Sequence, residues 1–232
     1  MNTNKFNSEF DKIKSLTWYP WIGTNYENNT DSKFLLIGES HYVINQDDKF
    51  NQEKFDKVIK NKRTTQIVVE EAIDSNGRYK FFINASKALM GDATYEFSKL
   101  WSKVAFYNFI QIPMVTQKGR PKAEDFLKGW ETYFQLIKVI KPTHCIFLGS
   151  SSAGTFSKFV SKQENIEYED VNYHLKFGRY WGKKGSITID GFKTNITFIK
   201  HPSSFFTWQD WYSYLTKRKG QSIINLRENV MK

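Results

Sequence analysis

The chain has 232 residues, with 34 Lys plus Arg against 24 Asp plus Glu and a formal net charge of +10. That length suits one domain with a full core, and a hydrophobic share of 40% excludes a disordered chain. A single cysteine, Cys145, excludes an internal disulfide framework and a cysteine-rich metal or iron–sulfur site.

In chain order, Phe6, Phe10, Ile13 and Leu16 fall at helical spacing, and Pro20 and Gly23 end that pattern. Asn25 to Ser32 reads as a polar loop. Phe34-Leu35-Leu36-Ile37 is a short apolar run closed by Gly38, the pattern of a strand covered on both faces. Residues 47–63 are charged and helical in part, and 64–73 fit a strand or a helix. Helices are expected over 78–89 and 95–101. Val104 to Ile110 is a second apolar run carrying one amide, Asn108. Phe126, Leu127, Trp130, Phe134, Ile137 and Ile140 share one side of a helix that Lys141-Pro142 ends. A third run, 144–149, leads into Ser150-Ser151-Ser152 and a helix around Phe156. Residues 164–170 are acidic, and 173–191 mix lysine, arginine and aromatic residues. A fourth strand, 194–199, runs into Lys200-His201-Pro202-Ser203-Ser204-Phe205-Phe206, and the tail from Trp208 is expected to be helical and to cover the sheet.

No repeat or linker divides the chain, so residues 1–232 read as one α/β domain. The expected architecture is three layers, with helices on both faces of a central, mainly parallel, four-stranded sheet. Parallel strands bring their carboxyl ends to one edge, where open α/β sheets bind ligands. That edge would gather Gly38, Glu39, Ser40, His41 and Tyr42, then Asn108, then Gly149 and its serines, then His201 and its serines.

These landmarks resemble the uracil-DNA glycosylase superfamily over residues 33–206. Gly38-Glu39-Ser40-His41-Tyr42 stands where the family has Gly-Gln-Asp-Pro-Tyr or a related form. His201-Pro202-Ser203 matches its closing His-Pro-Ser. Phe106-Tyr107-Asn108, Gly129-Trp130 and Phe147-Leu148-Gly149-Ser150 fall in register between them. The resemblance implies that His201 donates to the leaving base, that Asn108 pairs with a pyrimidine edge, and that Tyr42 and Gly38 bound the base. It implies DNA contacts at Ser150, Ser151, Lys200, Ser203 and Ser204, with Phe205 filling the place of a flipped base. The chain departs from the family at Ser40, where Asp or Asn positions the attacking water, and at His41, which replaces proline.

Bond cleavage builds cationic charge on the sugar and anionic charge on the base. A donor at the base oxygen and a carboxylate near the sugar are therefore the residue types the reaction needs. Glu39 could carry the sugar or water role, or form a structural ion pair. Ser40 stands at the water position. His41 could replace the missing Asp as a base, or point to solvent. Asn108 could satisfy backbone groups instead of a base, and His201 could cap a turn. The basic segment 176–184 is a solvated hairpin or a DNA clamp.

The functional expectation is a monofunctional DNA glycosylase for uracil or another modified pyrimidine. It would be a monomer without metal or cofactor, acting on double- or single-stranded DNA. The lack of a membrane span and of an apolar leader points to the cytoplasm. The alternatives are a non-catalytic nucleic-acid-binding relative, a glycosylase for a bulky modified base in defence against foreign DNA, and a hydrolase of free nucleosides. The basic excess favours a polyanion partner over the last, with solubility charge as the plain reading.

Overall fold

The computed structural model describes residues 2–29, 32–43, 50–77, 79–116, 119–203, 205–217 and 221–231. Among these, seven strands form one sheet: β1 (Trp21–Ile22), β2 (Phe34–Gly38), β3 (Ala105–Asn108), β4 (His144–Leu148), β5 (Ile166–Phe177), β6 (Tyr180–Ile189) and β7 (Phe192–Ile199). Their order is β1-β3-β2-β4-β7-β6-β5. The middle strands β3, β2, β4 and β7 run parallel to one another. β1 joins β3 antiparallel at one margin, and β6 and β5 extend the other margin antiparallel from β7.

The expected four-stranded sheet is thus corrected to a seven-stranded mixed one. The acidic and basic segments after residue 164 form two long strands turned at Gly178, whose φ of 55° lies in the left-handed region that glycine enters without steric cost.

The helices are α1 (Asn7–Phe10), α2 (Gln52–Lys60), α3 (Thr64–Asp74), α4 (Lys80–Met90), α5 (Phe97–Lys103), α6 (Ala123–Ile140), α7 (Phe156–Val160), α8 (Trp208–Thr216) and α9 (Gln221–Met231). Side chains alternate across the parallel strands. Leu35, Ile37, Cys145 and Phe147 pack with Trp130, Phe134, Phe156 and Phe159 of α6 and α7. Phe34, Leu36, Ile146 and Leu148 pack with Phe82, Leu89, Trp101, Trp211 and Leu226 of α4, α5, α8 and α9. Both faces are therefore covered, which is why these strands read as unbroken apolar runs. No helix among the described residues is long and apolar enough to cross a membrane.

The N-terminal pattern also resolves differently from its spacing. Only Asn7–Phe10 is α-helical, yet Ile13 and Leu16 are still buried, through turns rather than a continued helix. Helix α6 forms over a wider span than its apolar stripe, beginning where the Asp125 carboxylate accepts the Lys122 N–H at 2.8 Å. It ends at Lys141, with φ of 45°, just before Pro142.

Candidate active site at the carboxyl edge of the sheet

Gly38 pairs with Asn108 across β2 and β3. A methyl group on Gly38 would stand 2.2 Å from Asn108 Oδ1 and 3.1 Å from the Phe106 ring. Only glycine leaves room for the amide at that place. Asn108 itself is 5% exposed. Among the described residues its side-chain amide has no hydrogen-bond partner. Its amide atoms are not among the fully buried, unpartnered polar atoms, so a donor and an acceptor remain open there to solvent or a ligand. The reading in which Asn108 serves backbone groups through its side chain is not what the structure has; its backbone carbonyl instead accepts from Gln111 Nε2.

His201 follows β7. Its Nδ1 accepts the Ser203 N–H at 3.3 Å and lies 2.8 Å from the Ser203 hydroxyl. Burial, with a smaller contribution from the Arg120 cation, pushes its pKa down to about 4. The ring is therefore neutral at physiological pH, and an accepting Nδ1 puts its one proton on Nε2. No described residue bonds that Nε2. Phe81 of α4 packs on the His201 ring at 5.3 Å between centroids and on Phe106 at 6.1 Å. Contacts thus run without a break from His201 through Phe81 and Phe106 to Gly38 and Asn108. Asn84 of the same helix donates to the Pro202 carbonyl at 2.6 Å, fixing the His-Pro-Ser loop. Gly149, with φ of 147°, also lies against His201: a methyl group on it would stand 3.7 Å from the ring Cδ2.

The serine turn after β4 is built from α6. A methyl on Gly129 would meet the Phe109 ring at 2.4 Å, so glycine admits Phe109 against the helix. The next residue, Trp130, donates its indole N–H to Thr155 Oγ1 at 3.0 Å and to the Ser152 carbonyl at 3.3 Å. Ser150 and Ser151 remain exposed. Glu39, Ser151 and Ser152 line a shallow pocket with Ile37, Phe109 and Phe147.

Tyr42 and Arg120 add a charged margin. Burial, then the nearby Glu39 carboxylate, raises the Tyr42 phenol, while Arg120 opposes this by charge and hydrogen bond. Arg120 therefore reaches both Tyr42 and the field at His201. The strand-end pattern does not pick it out. Its only sequence signal is an arginine in a Gly-Arg-Pro loop that follows an apolar strand.

The other expected residues divide. Ser40 donates its hydroxyl proton to the Ile112 carbonyl at 2.6 Å, tying two loops together. His41 is a correction. It does not point to solvent. It is 8% exposed, edge-on to Trp18 at 4.8 Å, with Nε2 hydrogen-bonded to Thr65 at 2.9 Å. Phe205 and Phe206 separate: Phe205 is 87% exposed, whereas Phe206 stacks on Trp211. Lys200 donates to the Phe205 carbonyl. Ser203 is exposed, and Ser204 lies outside the described residues.

A larger cavity, about 460 Å³, lies elsewhere. Phe34 and His144, at the starts of β2 and β4, line it together with Asn195 in the middle of β7, toward the opposite edge of the parallel strands. Volume alone does not choose between the sites. The convergence of unpaired donors and acceptors does, and it favours the carboxyl edge. Among the described residues no three His, Cys, Asp or Glu side chains gather as a metal site. A comparison with known protein families found no match, and a comparison with curated proteins found none either.

Proposed function

We propose that the chain is a uracil-DNA glycosylase-like enzyme that hydrolyses the N-glycosidic bond of uracil or another modified pyrimidine flipped out of DNA in the cytoplasm. The observation that carries the reading is the pair of unengaged groups at one edge. One is the side-chain amide of Asn108, a residue 5% exposed whose amide atoms stay open to solvent. The other is the Nε2–H of a neutral His201. A pyrimidine offers an imide or amide edge for Asn108 and a carbonyl oxygen that gains charge as the bond breaks. A neutral imidazole donor suits that oxygen, because it stabilises the anion without first having to take up a second proton near pH 7. The order of the five motifs along the chain supports the same reading.

In this mechanism Asn108 reads the base and Gly38 leaves room for its amide. His201 donates from Nε2 to the departing base, and Ser203 holds the ring in that tautomer. Phe81 backs the ring. Glu39 is the carboxylate left for the sugar cation and the water, since Ser40 has committed its proton to Ile112. Arg120 adds positive charge at the margin, favourable to an anionic leaving group and to phosphate.

The test is incubation with DNAs carrying uracil, other deaminated bases and bulky modified cytosines, scoring abasic sites by alkali cleavage. His201→Ala should lower the rate by about a hundredfold or more, and Asn108→Ala should lower it with a change in base preference. Full rate in the His201→Ala protein would remove the mechanism. The engagement of Ser40 favours one second reading, a relative that binds nucleic acid without cleaving it. Salt-dependent DNA affinity with no base release from any substrate would select it.

A further inference from the structure

The β5–β6 hairpin carries its charge in two blocks. Its base holds Glu167, Glu169 and Asp170. There Glu169 pairs with Lys193 at 3.1 Å, and Asp170 accepts from Ser157 at 2.5 Å. From Val171 to Ile189 there is no acidic residue, while Lys176, Arg179, Lys183 and Lys184 all fall in that span. The tip is therefore a cationic surface, with the hairpin's carboxylates all at the far end.

The tip also exposes rings. Tyr173 is 67% exposed and Trp181 40%, and they meet edge to face at 5.3 Å. Lys183 stands 4.9 Å over Tyr173, and Lys176 stands 5.7 Å over Trp181. Exposed aromatic faces flanked by cations are a costly way to obtain solubility, which lysines alone supply. They match a chain that offers flat rings and phosphates in alternation.

The position is equally specific. Lys183 of β6 pairs with Phe198 of β7, so Trp181 and Tyr180 run past the end of β7 beside the His201 loop. Lys200 joins the two: its ammonium lies 4.0 Å over Tyr180 and 5.8 Å from the Phe205 ring. Lys200 thus ties the loop that holds His201 to the tip at Tyr180, the neighbour of Trp181 in the chain.

We propose that the β5–β6 tip is a binding platform for an unpaired DNA strand, with bases stacking on Tyr173 and Trp181 and phosphates meeting Lys176 and Lys183. The strand would be the one whose nucleotide enters the His201 site, and in that respect the inference rests on the function proposed above. A duplex presents phosphates to such a surface but no free base faces, so the rings select the unpaired form.

The experiment is fluorescence anisotropy of the full chain with a labelled oligothymidylate and with a blunt duplex of the same length, across a salt series. The Tyr173→Ala/Trp181→Ala protein should lose tenfold or more in single-strand affinity, with duplex affinity changed less than twofold. The Lys176→Gln/Lys183→Gln protein should weaken both, with the single-strand slope of log K against log salt shallower by about 0.7 for each lysine removed. It keeps the rings, so it reports even if the aromatic variant folds poorly. Unchanged single-strand affinity in both variants overturns the proposal, as does equal loss on duplex in the aromatic variant, or tighter binding of an RNA of matching sequence. Base release is the separate readout. A wild-type protein that holds the single strand through these residues yet frees no base keeps the platform and loses the glycosylase function.

Discussion

His41 makes the stability of this chain depend on acid in a calculable way. Its ring is 8% exposed, its Nε2 is held by Thr65, and Trp18 covers its face. Burial pushes its pKa from 6.5 down to about 4. As pH falls below 6.5, the unfolded chain takes up the proton first. Stability is therefore present above the unfolded pKa and is lost as pH drops toward the folded one. A fall of that size corresponds to about 3 kcal/mol in full, of which about 2 kcal/mol is lost between about pH 7 and pH 5. The perturbation is His41→Gln, which keeps an amide to meet Thr65 and removes the titration. The assay is urea unfolding of both proteins at those two pH values. Every other titrating group is shared, so the difference between the two pH effects belongs to residue 41. Wild type should lose about 2 kcal/mol more than the variant on acidification. Equal losses would refute the buried neutral ring.

Three further outcomes follow from the geometry. Gly129→Ala drives a methyl to 2.4 Å from Phe109; overpacking of about 1–3 kcal/mol should outweigh the ~1 kcal/mol gained in helix propensity, and a variant more stable than wild type in urea would contradict the packing. Glu39→Gln should slow base release severely while His41→Gln remains active, and the reverse pattern in the alkali-cleavage assay would move the water role to residue 41. Phe205→Ala, at an exposed position, should leave the melting temperature close to wild type and slow excision from duplex more than from single strands, since only the duplex resists flipping by a few kcal/mol; equal slowing on both would remove Phe205 from base extrusion.

The parallel half of the sheet was legible because burial on both faces writes itself as a continuous apolar run. Phe34 to Gly38 and His144 to Leu148 are such runs, and each forms a strand with those limits. The antiparallel half was legible only at its turn, where residues 176–184 read as a hairpin and the chain does turn at Gly178; the length of its strands was not. Ile166 to Phe177 is mostly exposed along its length, so no apolar face marks it. It is held by backbone pairing to β6 and by the turn at Gly178, and neither leaves an apolar period in the sequence. Phe6 to Leu16 departs the opposite way: helical spacing there records burial, which turns supply as well as a helix does.

At the site, the legible residues are those whose role is local to a strand end. Asn108 and His201 each stand at the end of an apolar strand, and the structure brings both to one edge. Arg120 and His41 were not legible because their surroundings come from distant segments: Trp18 and Thr65 enclose His41, and Arg120 meets Tyr42 across the loop after β3. Glycine bridges the two cases. Gly38 makes no unusual turn; it is small because the Asn108 amide occupies the space its side chain would need. Gly149 instead has a φ of 147°, reserved to glycine, and lies against His201. Both close apolar runs at the same edge, Gly38 leaving space for the Asn108 amide and Gly149 supplying a backbone conformation beside His201. A glycine at the end of a buried strand is therefore a sequence mark of this edge, and at Gly38 what it makes room for is found on the neighbouring strand rather than on its own.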